Sequence, residues 1–523
     1  TGEGRSIPPP THADLISTHT RPELLYPIEG FNFTGDQEHT FSGNLNTNAP
    51  WHTLLDELLN LRSMSSSSDI WVAVVPRAVL TPGPRVVGIG STGAACVYVD
   101  GVLDHELGHA FGRDHAPCGP VDSSDPAYPT YASYPPASIG EFGFSNGDYT
   151  IYDPAVDKDV MSYCATWVSP YTYTGIMNGT IAGSGGPALF VAERDSQTPS
   201  TGEATWHRGE HLFLSFRIHG GGEFELLPSF RLDGRSPDRS RARSEDVRCE
   251  LRDLGGNPVA AVPCADEIFD DPNTHGYRQF HVAIPLSEDV ATVAVIEENE
   301  ELAQLALHAV TAPAVRIVSA GPVPPPSDTS GAKEAVPPQY VLEWETDDEE
   351  EDVRFAVRYT CDDGGSWLAL AAGIESRRFP VDLRALRGGE SCYFEVAAGR
   401  GLSTTTARTK TFTIPRRPRA GYVVPVFDDH GKAIGLAGAA YSPDYESAAV
   451  DELAWVVDET LVARGRELPL SALDPSVRTV TLTFADGTDS WGRTTFDLDA
   501  LEDRPPAALG RDKMSGENVP EEP

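Results

Sequence analysis

The spacing of three histidines around one glutamate constrains this chain more than any other feature of its sequence. His105 and His109 are four residues apart, and Glu106 directly follows the first of them. On a helix, residues at this spacing lie on one face about a turn apart, so two imidazoles can reach a single ion. His115 follows after Gly112. The segment therefore predicts a short helix, a sharp turn and a third histidine folded back onto the same ion.

Gly112 is the residue that permits the turn. Because glycine lacks Cβ, it adopts the left-handed conformation with which many helices end. Three neutral imidazoles leave Zn²⁺ with an open position at which water is activated for attack. Glu106 would accept the proton of that water and later deliver it to a leaving amine. A histidine pair alone at this spacing is usually structural, but here every fixed position of HExxHxxGxxH is filled.

This segment resembles the metzincin clan of zinc endopeptidases, in which the extended histidine motif is followed by a methionine-containing turn. The stretch Asp159–Tyr163, DVMSY, matches that turn. The resemblance implies that Met161 packs beneath the metal as a floor. It also implies that Tyr163 is the displaceable tyrosine ligand of astacins and serralysins, which stabilises the oxyanion. An ordinary buried tyrosine is the alternative for Tyr163.

Two flanking segments correspond to the substrate-binding parts of that clan. The glycine-rich stretch with Gly88 and Gly90 occupies the place of the edge strand, to which a substrate backbone would add in antiparallel orientation. A plain core strand is the alternative. Tyr171 and Tyr173 follow the methionine turn, where the clan builds the wall of its primed-side pocket. The resemblance thus implies an apolar or aromatic preference.

Calcium is a second candidate cofactor besides zinc. The segment between the third histidine and the methionine turn is rich in tyrosine and could form a flap over the substrate. It could also hold Ca²⁺ through carboxylates of Asp122, Asp125, Asp153 or Asp157. No EF-hand-like spacing is present, so this prediction rests on the abundance of carboxylates alone.

Seven cysteines favour an oxidising compartment. Their order along the chain predicts three disulfides within units and leaves Cys96 as a buried strand thiol; the pairs are Cys118–Cys164, Cys249–Cys264 and Cys361–Cys392. A fold that brings the methionine turn beneath the zinc would also join Cys118 to Cys164. The alternative is seven reduced thiols, since cytosolic chains carry similar numbers. We expect a secreted, extracellular protein, and the start at Thr1 fits removal of a leader as well as a shortened chain.

The length of 523 residues exceeds that of one ordinary core. Helical and strand signals mix up to about residue 190, and short alternating strands follow. We predict a multidomain chain with an α+β metzincin-like catalytic domain followed by all-β sandwich domains. The expected units are residues 1–194 (catalytic), 205–311 (β-sandwich), 312–415, 416–503 and a disordered tail, 504–523. The third unit resembles fibronectin type III domains through YVLEW and CYFEV, and the fourth resembles bacterial immunoglobulin-like modules through LAWVVD and RTVTLT.

The net charge of −38 argues against nucleic acid as a partner, because most faces of the protein would repel a polyanion. A solubilising surface and adaptation to high salt are alternative causes of this acidity. No run of about 18 apolar residues is present, so we expect no membrane insertion.

These patterns predict a secreted zinc metalloendopeptidase that hydrolyses extracellular proteins or glycoproteins, with Glu106 as general base. The plan is loosely similar to secreted bacterial proteases that cut glycoproteins, including mucins. The alternative is an adhesion or glycan-binding protein in which the β modules contact glycans and the protease domain is not essential. A zinc amidase acting on peptidoglycan is a third reading, although it would place its ligands at other spacings.

Overall fold

The computed structural model describes residues 9–28, 31, 33, 37–67, 69–76, 88–91, 93–99, 102–119, 121, 124–145, 150–181, 206–237, 246–264, 276–323, 339–347, 352–427, 432–445, 448–488 and 490–501. Several predictions fall outside these residues: the start of the glycine-rich stretch at 86–87, Asp122, the proline-rich join at 324–326 and the tail at 504–523. Among the described helices, none is long and apolar enough to cross a membrane.

The first unit combines helices with a small sheet. Its elements are α1 His12–Leu25, α2 Asn48–Met64, β1 Trp71–Val75, β2 Gly88–Ser91, β3 Ala94–Tyr98, α3 Leu103–Ala110, β4 Gly143–Phe144, β5 Ile151–Tyr152 and α4 Pro170–Ile181. In the three-stranded sheet, β3 lies between β1, to which it is parallel, and β2, to which it is antiparallel. The described residues between α3 and α4 are irregular apart from the β4–β5 pair, as the composition of this segment predicts.

Helix α2 packs its apolar stripe on this sheet. Its leucines recur at steps of three and four residues, so Trp51, Leu55 and Leu59 lie on one face. All three are buried in one cluster with Ile89 and Cys96 of the sheet. Cys96 is a buried free thiol, as predicted, and burial raises its pKa.

Three β units follow, which we call the β modules. The strands of the first are β6 Trp206–His219, β7 Phe224–Leu226, β8 Phe230–Pro237, β9 Val247–Arg252, β10 Pro258–Pro263, β11 Tyr277–Pro285, β12 Thr292–Glu297 and β13 Glu300–Ala306. Those of the second are β14 Val315–Val323, β15 Gln339–Thr346, β16 Arg354–Thr360, β17 Leu368–Ile374, β18 Arg378–Val381, β19 Gly389–Arg400, β20 Ser403–Arg408 and β21 Phe412–Ile414. Those of the third are β22 Ala420–Phe427, β23 Ala433–Tyr441, β24 Leu453–Val457, β25 Thr460–Arg464, β26 Glu467–Pro469, β27 Thr479–Ala485 and β28 Trp491–Asp497.

Each β module is a pair of antiparallel sheets around an apolar core. The sheets have the strand orders β10-β9-β12-β13 with β11-β6-β7, β14-β15-β18 with β17-β16-β19-β20, and β22-β23-β26 with β25-β24-β27-β28. Inward side chains at alternate positions fill the three cores, which are separate clusters around Phe216, Trp344 and Trp455. These are antiparallel β-sandwiches, as the sequence predicts.

Two of the three predicted disulfides are wrong. Cys249 and Cys264 are free thiols whose sulfurs are 3.3 Å apart, well beyond the ~2.05 Å of an S–S bond. Cys361 and Cys392 are also free. Thr360 pairs with Tyr393 in an antiparallel register. The next residue, Cys361, therefore lies opposite Cys392. Cβ atoms of opposed strand residues are about 4.5–5.5 Å apart, more than most disulfides span. Only Cys118–Cys164 is bonded among the described cysteines.

The β modules pack on the first unit through an apolar cluster of their own. Leu61 and Met64, at the end of α2, are buried against Phe213 and Phe230 of the first β module and Ala369 of the second. The face of α2 opposite the small sheet is thus covered as well. The chain is an assembly of units that share apolar contacts, which the division into domains did not foresee.

Candidate metal centre

Three buried histidines converge beside the small sheet. His105 and His109 lie on α3, and His115 follows the turn after it. One nitrogen from each ring lies within 4.8 Å of the others. Among the described residues, this is the one group of three potential metal-binding side chains. The spacing of the motif alone predicted the convergence.

Hydrogen bonds orient two of the rings. His105 Nδ1 lies 2.8 Å from Val160 O, and His109 Nδ1 lies 2.7 Å from Arg113 O. A neutral imidazole that donates through Nδ1 has a lone pair at Nε2, and the carbonyl acceptors assign this tautomer to both rings. The two Nε2 atoms are 3.2 Å apart. Two nitrogens each about 2.05 Å from a tetrahedral ion would be separated by roughly 3.3 Å, so the pair fits Zn²⁺.

Gly112 makes the turn after the helix with a φ of +74°. Its N–H donates to His109 O at 2.7 Å, and the N–H of Arg113 donates to Gly108 O at 2.9 Å, which closes the end of α3. The chain then returns, and His115 O accepts from Asp125 N at 2.8 Å. This left-handed position explains why the motif carries glycine here.

Glu106 is buried next to the edge of the sheet. A Cβ at Gly88 would lie 2.6 Å from Glu106 Oε1, so the missing side chain makes room for this carboxylate. Gly90 lies against the helix in the same way, since a Cβ there would lie 2.9 Å from His109 Cβ. β2 is an edge strand in the described sheet, antiparallel to β3. Both glycines therefore serve close packing on α3, and a role of their strand in substrate binding stays a prediction.

Met161 lies under the middle of the active helix. It is 1% exposed, and a Cβ at Gly108, between the two helical histidines, would overlap its sulfur. Met161 O accepts from Ala116 N at 2.8 Å, directly after the third histidine. The methionine turn thus contacts the helix and the returning chain at once. Met161 therefore packs against α3 between the two helical histidines, and its role as a floor beneath a metal stays a prediction.

A buried carboxylate organises this turn. Asp159 accepts from Met161 N and Ser169 N, both at 2.8 Å, and from Thr172 Oγ1 at 3.0 Å. Burial raises the pKa of Asp159, and these hydrogen bonds oppose that rise. The Asp159 carboxylate thus links the methionine turn to the start of α4. The sequence analysis missed this role of Asp159, although the residue opens the DVMSY stretch.

Tyr163 lies beside two of the histidines. Its ring centroid is 4.9 Å from that of His115 in an edge-on arrangement and 5.9 Å from that of His105. Tyr163 N donates to Cys118 O at 3.1 Å, so the tyrosine sits next to the Cys118–Cys164 disulfide. This disulfide is the one predicted pair that is confirmed, with Cα atoms 5.8 Å apart.

Tyr171 belongs to a polar cluster on α4. Its hydroxyl donates to Asp125 at 2.6 Å, and the guanidinium of Arg113 lies 5.1 Å from its ring centroid. Arg113 also lies 3.7 Å from Asp125. The cluster connects the turn before His115 to α4. Tyr173 is 39% exposed on the same helix. Substrate binding by either tyrosine stays a prediction.

The carboxylates proposed for calcium have other partners. Asp125 is engaged by Tyr171 and Arg113. Asp153 and Asp157 accept hydrogen bonds from backbone amides of their own turn, Asp157 from Asp153 N at 2.6 Å and Asp153 from Ala155 N at 2.8 Å. Asp122 lies outside the described residues. These contacts do not bring the three described carboxylates together.

Helix α1 contributes residues that the sequence analysis did not single out. The Tyr26 hydroxyl donates to the backbone oxygen of Asp104, next to the first histidine. The guanidinium of Arg21 pairs with the Asp104 carboxylate and donates to Thr166 O at 3.0 Å. Residues 1–41 match no motif, so only the capping pair Thr11 and Asp14 could have indicated a helix there.

No protein-family model matches this sequence, and the comparison with curated proteins gave no match. Among solved structures, the chain is similar to the chicken interferon gamma receptor alpha chain (14% identity, 30% of this chain and 91% of that one, TM-score 0.15). It is also similar to the central fibronectin-III array of RIM-binding protein (14%, 55% and 96%, 0.13) and to a tetra-tandem repeat in the extending region of a large adhesion protein (12%, 56% and 93%, 0.13). At these TM-scores, neither fold nor function is inferred from the likeness; the sandwich character of the β modules rests on their own sheet pairing.

Proposed function

We propose that this chain is a secreted zinc-dependent endopeptidase of the metzincin type. The observation that carries the proposal is the convergence of His105, His109 and His115, with two Nδ1 atoms bonded to carbonyls and two Nε2 lone pairs 3.2 Å apart. Two neutral nitrogens with facing lone pairs repel each other, and a cation between them removes that repulsion. Nitrogen donors in this number and geometry suit Zn²⁺.

Bound by these three imidazoles, zinc would supply the Lewis acidity that activates water and polarises a peptide carbonyl. Glu106 follows the first of these histidines and is buried beside the Gly88 backbone. It would accept the proton of the attacking water and return it to the departing amine. Tyr163, whose ring lies edge-on to that of His115, would donate a hydrogen bond to the developing oxyanion.

The edge position of β2 supports a polypeptide substrate. An extended chain can add to an unpaired strand edge through backbone hydrogen bonds, without regard to most of its side chains. The Gly88 and Gly90 positions keep β2 close to α3, so a strand added there would run past Glu106. We therefore favour peptide bonds within an extended segment as the substrate.

Metal analysis together with a digest of casein and of a heavily glycosylated protein tests the proposal. We expect about one zinc per chain, cleavage that a chelator abolishes and zinc restores, and a loss of at least about 10³-fold in Glu106→Gln, because the general base is removed. Glu141→Gln makes the same chemical change at an exposed position of the first unit and should cleave like wild type. A zinc-free protein, or full activity in Glu106→Gln, would refute the proposal.

The second candidate is adhesion or glycan binding by the β modules, and the observation behind it is that every strand from β6 to β28 belongs to them. The full-length Glu106→Gln variant separates the two functions, because it keeps the modules and lacks the base. Tight binding of this variant to a glycan array, with no proteolysis by the wild type, would favour adhesion as the main function. Binding together with proteolysis would mean that the modules dock the protease on its substrate.

A further inference from the structure

Helix α1 lies between the active helix α3 and the third β module. Toward α3, Tyr26 donates to the backbone of Asp104, and Arg21 pairs with the side chain of the same residue. Asp104 directly precedes the first metal-binding histidine. The position of α1 therefore bears on where His105 lies. Arg21 also reaches Thr166, so α1 holds α3 and the segment after the methionine turn together.

The opposite side of α1 packs on the third β module. Ile16 forms an apolar cluster with Val424, Ala437 and Ala439, which lie on β22 and β23. The ring of His12 stacks on that of Tyr422 with centroids 5.2 Å apart. These contacts fix α1 at its first and middle turns by apolar packing.

An ion pair anchors the last turns of α1. The carboxylate of Glu23 pairs with the guanidinium of Arg466, and both side chains are mostly buried, at 18% and 14% exposure. Phe31 completes the arrangement: its N–H donates to Glu23 at 2.9 Å and its carbonyl accepts from Arg466 at 2.9 Å. The Arg466 backbone is itself fixed, since its carbonyl accepts from Gly438 N at 2.7 Å.

We propose that Arg466, in the third β module, is a positioning residue for the metal centre and acts through α1. Glu23 lies on the same helix as Arg21, and Tyr26 caps the end of that helix; Arg21 and Tyr26 are the residues that hold Asp104. Rigid elements linked by buried polar contacts carry such coupling between sites. The inference rests on the proposed function for one point, that the ion held by the three histidines is zinc. It means that the third β module is a structural part of the catalytic unit, even though more than 300 residues of chain separate Arg466 from the histidines.

The test uses the full-length protein with Arg466→Ala and Arg466→Lys. Arg464→Ala is the matched control, because it removes the same charge from an exposed position of the same module. Zinc affinity is measured by competition with a chromogenic chelator, and amide hydrogen exchange is measured across residues 103–110. We expect Arg466→Ala to weaken zinc binding about 10-fold, the lower end of what loss of supporting contacts costs a metal site, and to speed exchange in α3. Arg466→Lys should recover part of both effects, and Arg464→Ala should match wild type.

Unchanged zinc affinity and unchanged α3 exchange in Arg466→Ala would overturn the inference and leave the proposed function intact. A wild type that binds no zinc would overturn the proposed function, and the exchange of α3 amides would then decide the inference alone. If Arg466→Ala fails to fold, Glu23→Gln breaks the same pair from the other side with little change in shape. Faster α3 exchange in that variant supports the inference, and wild-type exchange there refutes it.

Discussion

Met161 lies so close to Gly108 that a methyl group on this glycine would overlap the methionine sulfur. Gly108 stands between His105 and His109, so the segment with Met161 approaches the helix at the point from which both histidines project. The Tyr26 hydroxyl would also be 3.2 Å from such a methyl group. The absence of a side chain at this position is what lets two segments meet beneath the metal centre.

Gly108→Ala should therefore destabilise the protein although alanine is the better helix former. Alanine gains about 1 kcal/mol in helix propensity, but overpacking a filled core costs about 1–3 kcal/mol. We expect a net loss of up to about 2 kcal/mol in urea unfolding, together with weaker zinc binding. In Gly108→Ala/Met161→Ala, the loss should be smaller than the sum of the two single losses, because the sulfur that clashes is gone. Additive losses would show that the contact does not matter.

Gly88→Ala should impair catalysis more than metal binding. Its methyl group would lie 2.6 Å from Glu106 Oε1, so the carboxylate must move while the histidines stay in place. A general base displaced by a fraction of an ångström can lose about 10²-fold in rate. We expect kcat to fall by about this factor with zinc content near wild type. Gly321→Ala is the control, since a Cβ there meets nothing within 4 Å. Loss of zinc in Gly88→Ala would mean that the strand supports the ligands instead.

The motif predicted the convergence of the three histidines because the interactions that produce it are local. Three histidines within eleven residues need only a helix and one left-handed glycine to converge, and Gly112 has that conformation. The Cys118–Cys164 pair was predictable for a related reason, since both cysteines adjoin segments that the metal centre brings together. The α2 helix followed from the spacing of its leucines, which reports on burial within one unit.

Contacts between distant units have no motif or periodicity in the sequence from which they could be predicted. Arg21, Glu23 and Arg466 are ordinary surface residues by sequence, and their burial depends on how α1 packs against another module. The disulfide prediction failed for Cys361 and Cys392 because order along the chain does not report whether two sulfurs come within bonding distance. Asp159 was missed because its sequence context is that of an ordinary loop aspartate. Only the structure shows that three hydrogen-bond donors surround its carboxylate.

Asp159→Ala should be among the most damaging changes outside the ligands. It would leave the buried amides of Met161 and Ser169 without their acceptor, and each orphaned buried donor costs about 1–3 kcal/mol. We expect a loss of about 3 kcal/mol in unfolding free energy and weakened zinc binding. Asp153→Ala, which removes an exposed turn carboxylate of the same segment, should cost well under half as much. Equal losses in the two variants would contradict the role given to Asp159.

Thiol titration tests the corrected disulfide pattern. Five free cysteines and one disulfide predict five reactive thiols per chain in denaturant without reductant, and seven after reduction. A single thiol would instead support three bridges. Because the Cys118–Cys164 bridge encloses 46 residues, its loss in Cys118→Ser/Cys164→Ser should cost about 4 kcal/mol by loop entropy. Reductant should lower the unfolding free energy of Cys249→Ser/Cys264→Ser by as much as it lowers that of the wild type.

Asp56 should make the contact between the first unit and the first β module sensitive to pH. This α2 residue pairs with Arg217 of β6 at 3.2 Å, and burial raises its pKa from 3.8 to about 7 against the opposing effect of Arg217. Between those values the folded state binds the extra proton, so the stability that Asp56 contributes is complete below about pH 4 and is lost as pH rises through about 7. Asp56→Asn stays neutral and should not show that loss.

The measurement is the unfolding free energy of wild type and Asp56→Asn at pH 5.5 and pH 8. We expect the unfolding free energy of Asp56→Asn to rise relative to that of the wild type from pH 5.5 to pH 8. The reason is that only the wild type must ionise a buried carboxylate as pH rises. Asp289→Asn changes an exposed aspartate of the first β module. Its unfolding free energy should differ from that of the wild type by the same amount at both pH values. If the ion pair with Arg217 outweighs burial, Asp56 is ionised throughout. Asp56→Asn would then lose the pair at both pH values and show no relative gain, which would contradict the raised pKa.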